Sequence, residues 1–108
     1  MNISVLGCGR WGSFISWYLA NHNHNVIEWG REDSPSFKVL KETGKNEYVY
    51  LSDKITLTSD LEKAINSSEV IIISISSQQL RSFMERVTKF DVKDKIFVLC
   101  MKGVDENT

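Results

Sequence analysis

Gly7, Gly9 and Gly12 stand in the spacing Gly-x-Gly-x-x-Gly, a pattern suited to cradling phosphate. The first glycine permits a tight turn, the second lets backbone approach a pyrophosphate, and the third lets a helix pack closely on a strand. The same three residues would also serve a tight strand-to-helix turn with no ligand. Arg10 and Trp11 lie inside the motif. Arg10 is either a partner for a phosphate oxygen or a solvated first-turn cation, the latter disfavoured by the helix dipole by about a few tenths of a kcal/mol. Trp11 is an aromatic on a glycine turn near solvent, a less comfortable place for a core residue than for one beside a ligand.

Residues of these types act only if a strand delivers them and a helix leaves from them. Met1 to Leu6 reads as a short apolar strand, and Trp11 to Ala20 continues at once as a helix. Phe14, Ile15, Tyr18 and Leu19 recur at one-face spacing, which predicts an inward apolar face and puts Ser13, Ser16 and Asn21 on the other side. The run Asn21 to Asn25 is a turn into a second strand, Val26 to Trp29. His22 and His24 in that turn read as solvated residues, since no carboxylate or thiol cluster accompanies them to bind a metal. Ser34 and Pro35 start a helix that ends near Thr43 before Gly44. A polar connection from Lys45 to Asp53 leads to a third strand, Lys54 to Thr58, and Ser59 is expected to cap a helix from Asp60 to Asn66. Val70 to Ile75 is nearly continuous β-branched sequence, the pattern of a strand covered on both faces beside the first. Ser76 and Ser77 cap a helix to about Phe90, with Leu80, Phe83, Met84 and Val87 on one face. A fifth strand, Ile96 to Met101, ends in Lys102 and Gly103.

Strands alternating with helices give an α/β fold: a Rossmann-type, doubly wound parallel sheet with right-handed crossovers, expected strand order 3-2-1-4-5, in a single domain of residues 1–108. Composition agrees with an ordinary globular chain: of 108 residues, 42% are hydrophobic and 25% charged. Thirteen Lys and Arg against fourteen Asp and Glu leave a net charge of -1, which offers no general excess of cations for a nucleic acid or an anionic membrane. Any anion site is therefore local. Apolar runs fall far short of the roughly 20 residues that span a bilayer, and no secretory signal precedes the first strand, so the cytoplasm is the expected location. Cys8 and Cys100 are expected to be reduced thiols.

In such sheets the ligand sits beyond the carboxyl ends of the strands, where the strand order reverses. Gly7 to Gly12, Gly30 to Arg31, Ser74 to Gln78 and Lys102 to Gly103 all fall at that edge. Read together as Gly7-Cys8-Gly9-Arg10-Trp11-Gly12, Trp29-Gly30-Arg31, Ser76-Ser77-Gln78 and Lys102-Gly103, they resemble the cofactor domain of NAD(P)-dependent glycerol-3-phosphate dehydrogenase. That family's pattern runs Gly-x-Gly-x-Trp-Gly, Trp-Gly-Arg, Pro-Ser-Gln and Lys-Gly. Trp11-Gly12 and Trp29-Gly30-Arg31 are the most specific parts of the likeness. Arg10 departs from the family's small polar residue and Ser76 from its proline.

The resemblance implies NAD or NADP as cofactor, held by Gly7, Gly9, Arg10, Trp11, Gly12, Arg31, Ser76 and Lys102, with Lys102 near nicotinamide and substrate. Arg31 would contact the adenosine by stacking on adenine or by pairing with a 2′-phosphate, while Glu32 and Asp33 either neutralise it or receive the ribose hydroxyls. That arrangement leaves NADH and NADPH both open, with a slight lean to NADH. The implied reaction of the complete enzyme is hydride transfer between nicotinamide and dihydroxyacetone phosphate, giving sn-glycerol 3-phosphate. No catalytic residue is assigned in this chain, because the family's lysine lies in a second, helical domain expected beyond residue 108; the chain alone is expected to be inactive. The expected partners are a dinucleotide, a small phosphorylated substrate and a second copy of the chain. A stand-alone dinucleotide-binding module and the cofactor domain of another hydroxy-acid dehydrogenase are the alternative readings.

Overall fold

Five parallel strands form one sheet in the order β3-β2-β1-β4-β5, as the alternation of elements predicts. They are β1 (Asn2–Leu6), β2 (Asn25–Trp29), β3 (Ile55–Thr58), β4 (Val70–Ile73) and β5 (Ile96–Leu99). The helices are α1 (Arg10–Ala20), α2 (Pro35–Thr43), α3 (Leu61–Asn66) and α4 (Ser77–Val87). The computed structural model describes residues 2–7, 10–43, 55–75, 77–90 and 92–100, and only the backbone of residues 10, 11, 36, 77 and 78. The polar connection expected over residues 45–53 lies outside them.

Alternation along the strands divides the core into two layers. Ile3 and Val5 of β1, Val26 of β2, Ile55 of β3 and Ile72 of β4 pack on one face with Ala20 of α1. Leu6, Trp29, Ile71 and Ile73 pack on the other against Leu61, Ala64 and Ile65 of α3 and Phe83 and Val87 of α4. β4 is buried on both faces, as its unbroken apolar run requires. α2 forms a smaller cluster with Phe37 and Leu40 against Leu57 of β3. Polar bonds reinforce the second layer: Ser4 Oγ, buried in β1, bonds the carbonyl of Ala64 and lies 2.7 Å from Ser68 Oγ, tying α3 and its exit to the centre of the sheet.

Several local expectations shift. The buried face of α1 carries Gly12, Ser13, Ser16 and Ala20, whereas Phe14 and Tyr18 are 43% and 50% exposed. Ile15 and Leu19 are only half-buried at the margin of the apolar layer. Close approach to the sheet selects small residues, and apolar spacing alone names the wrong face. α3 is capped by Asp60 rather than Ser59: the Asp60 carboxylate accepts from the Lys63 amide. Ser77 is already helical, and the last turn before Phe90 tightens into bonds from Lys89 N to Arg86 O and Phe90 N to Val87 O. Asn23 takes a positive φ of 69° in the Asn-rich turn, the conformation that residue type tolerates.

Candidate functional site

The exits of β1, β2, β4 and β5 each donate a backbone amide to a neighbouring strand, and this brings distant stretches to one edge. Gly7 N donates to Trp29 O at 2.8 Å, Gly30 N to Thr58 O at 3.1 Å, Ser74 N to Leu6 O at 3.0 Å and Cys100 N to Ile73 O at 2.9 Å. The residues that follow β1, β2, β4 and β5 therefore lie side by side at the carboxyl end of the sheet, with α1 starting above β1.

Gly7 adopts φ +142°, a conformation that side chains disfavour, and a Cβ there would collide with the Ser74 carbonyl group, whose carbon lies 3.0 Å away. A Cβ on Gly12 would strike the Gly7 carbonyl group, with its carbon at 2.8 Å. Both obstacles are backbone, so neither yields cheaply. The end of β1, the exit of β4 and the first helical turn are thus packed backbone against backbone, with no room for a side chain at either glycine. The first turn of α1 contains no acidic residue, so nothing in it neutralises the positive end of an 11-residue helix. A helix N-terminus with no carboxylate in its first turn favours an anion.

Trp29 and Arg31 flank Gly30 and do different work. The Trp29 indole is buried, donating from Nε1 to Ser59 O at 3.1 Å and packing on Phe83 with ring centroids 5.3 Å apart. The Arg86 guanidinium lies 5.8 Å from its ring centroid. Trp29 therefore locks the ends of β2 and β3 to α4. Arg31 points to solvent with its side chain 61% exposed, its Nε 3.9 Å from an Asp33 carboxylate oxygen. A pair so long and so exposed contributes little and leaves the guanidinium available.

Of the expected site residues, the structure places Gly7 directly after β1, Arg10, Trp11 and Gly12 in the first turn of α1, and Arg31 just beyond β2. Gly9, Ser76 and Lys102 lie outside the described residues. Cys100 is a free thiol. Among the described residues no group of three His, Cys, Asp or Glu could hold a metal, and no helix is long and apolar enough to cross a membrane.

One residue near the turn escapes the sequence reading. Glu28, on β2, has no exposed surface, and its Oε2 accepts a hydrogen bond from Ser13 Oγ at 2.9 Å. Burial pushes its carboxyl up to about 8, against the smaller opposing effect of the Ser13 and Ser16 hydroxyls. Ser16 Oγ donates to Gly12 O at 2.9 Å. An acid in the middle of Val-Ile-Glu-Trp, opposite a helix with small polar residues at 13 and 16, was the available signal.

Comparison with known proteins places these features in context. Residues 2–108 match the family model described as NAD-dependent glycerol-3-phosphate dehydrogenase N-terminus. A glycerol-3-phosphate dehydrogenase [NAD(P)+] from Agathobacter rectalis is 33% identical over 112 residues, covering 98% of this chain and 32% of that protein. The crystal structure of glycerol-3-phosphate dehydrogenase from Coxiella burnetii superposes with a TM-score of 0.84 at 21% identity, over 94% of this chain and 32% of that one. A PanE/ApbA family ketopantoate reductase from Ralstonia eutropha shares the fold more distantly, with a TM-score of 0.70 at 19% identity, over 90% of this chain and 33% of that one. The chain spans about a third of the length of the curated relatives it matches.

Proposed function

The chain belongs to the family of NAD-dependent glycerol-3-phosphate dehydrogenase N-termini, and on that premise we propose that it is the part of such an enzyme that holds NAD or NADP. The observation that carries this reading is the close backbone packing of Gly7 and Gly12 at the N-terminus of α1, where added side-chain bulk would meet backbone and the first helical turn holds no acid. The pyrophosphate would lie beyond Gly7, whose own amide is held by Trp29 O, against the backbone from Gly9 to Gly12 at the positive end of α1, with Arg10 beside it. Trp11 would border the cofactor, and Arg31, exposed and only loosely paired, would meet the adenosine. Ser76 and Lys102 complete the set, Lys102 supplying positive charge near the reacting carbonyl.

The cofactor, when bound, supplies hydride chemistry. This chain contributes binding, orientation and a fixed electrostatic field. The whole enzyme would interconvert dihydroxyacetone phosphate and sn-glycerol 3-phosphate in the cytoplasm, with the proton handled by a lysine outside this chain and with assembly into homo-oligomers. The 108-residue chain should bind NADH without turning over dihydroxyacetone phosphate. Titration with NADH, followed by calorimetry and by tryptophan fluorescence, should show saturable binding with a fluorescence change from Trp11. Absence of saturable binding of either NADH or NADPH would refute the reading.

A further inference from the structure

Glu28 is the one fully buried acid among the described residues, and it is bonded to the start of α1 through Ser13. In register it sits between Val5 of β1 and Leu57 of β3, on the sheet face that α1 covers. Ser13, its hydrogen-bond donor, adjoins Gly12, and Gly12 is packed against the Gly7 backbone. The carboxyl is thus one residue removed from the contact that shapes the cradle. Its other oxygen, Oε1, has no hydrogen-bond partner among the described residues. A carboxylate in that position would be charged, dry and half-satisfied, which is costly, whereas the neutral acid is tolerable.

No ion pair to it is found among the described residues. The strands β1, β2 and β3 carry no other ionisable side chain. On α1 the ionisable groups are Arg10, in the first turn, and Tyr18, which is half exposed; on α2, Lys38, Lys41 and Glu42 all face solvent. The ordinary environment of Glu28 is a pair of serine hydroxyls and apolar side chains.

We propose that Glu28 is a positioning residue for the dinucleotide site that works as a neutral carboxylic acid: it braces Ser13 and the start of α1 against β2, and its ionisation lowers affinity for the pyrophosphate. This rests on the proposed placement of the pyrophosphate at the start of α1. Ionisation acts in two ways. It puts a negative charge behind the helix turn that receives a second anion, in surroundings of low dielectric where like charges repel strongly. It also offsets part of the positive helix end that attracts the ligand. By linkage the bound dinucleotide must raise the proton affinity of Glu28 by the same factor, so binding at alkaline pH takes up a proton.

The test is the affinity of the 108-residue chain for NADH between pH 6.5 and 9.5, for the natural protein and for Glu28→Gln, which carries the shape of the neutral acid at every pH. The natural chain should lose about tenfold in affinity across that range beyond any loss in the variant. Calorimetry of the natural chain near pH 8.5, in buffers of different ionisation enthalpy, should show net proton uptake that Glu28→Gln lacks. Any thiol, lysine or tyrosine titration at the site would appear equally in both proteins, so parallel profiles with equal proton uptake would overturn the proposal. Absence of saturable binding by either protein at pH 7 would instead refute the cofactor site, and this inference with it.

Discussion

Replacing Glu28 with Gln should make the chain more stable at neutral pH, and the size of the gain follows from the position of the carboxyl. In the unfolded chain the group titrates near its ordinary 4.5; in the folded chain burial pushes it up to about 8. The folded state therefore holds a proton that the unfolded state releases anywhere between those values, and stability falls as pH rises through that window. Below 4.5 both states are protonated and nothing is lost. Above 8 the penalty is complete, and the interval of about 3.5 (8 minus 4.5) corresponds to about 5 kcal/mol at 1.36 kcal/mol for each tenfold step. At pH 7 the interval is about 2.5, or about 3 kcal/mol. Glutamine keeps the shape and accepts from Ser13 Oγ without a proton to lose. Urea unfolding of both proteins at pH 5 and pH 7 measures the difference: the gain should be under about 1 kcal/mol at pH 5 and about 3 kcal/mol at pH 7, the latter raising the melting temperature by on the order of 10 °C. A gain independent of pH, or a loss of stability at pH 7, would show that Glu28 is not a buried neutral acid.

Gly12→Ala should destabilise the fold by about 1–3 kcal/mol, since its Cβ meets the Gly7 carbonyl and neither backbone can retreat; urea unfolding checks this, and a neutral substitution would refute the close packing of turn and helix. The same variant should weaken NADH binding at concentrations where circular dichroism shows it folded. Arg31→Ala should weaken the cofactor more than Arg10→Ala does, because Arg31 matches the family motif and stands exposed beyond β2. Equal or reversed losses in calorimetry would reject that ranking.

The order of elements, their alternation and the 3-2-1-4-5 sheet were legible in the sequence because they follow from local signals. A β-branched run at residues 70–73 fits only a strand buried on both faces, and Ser34-Pro35 starts a helix whatever lies around it. The motif residues Gly7 and Gly12 were legible for a similar reason: their type and spacing state what the backbone needs. Which face of α1 turns inward was not, because that choice depends on how near the sheet comes. Close approach buried Ser13 and Ser16 and left Phe14 and Tyr18 outside, against their hydropathy. Glu28 belongs to the same class. In the sequence it is one acid in a strand of period two, and only tertiary packing closes the apolar layer over it, sets Ser13 2.9 Å away and makes its proton part of the fold. Spacing along the chain determines elements and turns, whereas burial is a property of what arrives from elsewhere, and so is the chemistry that burial imposes on a carboxyl group.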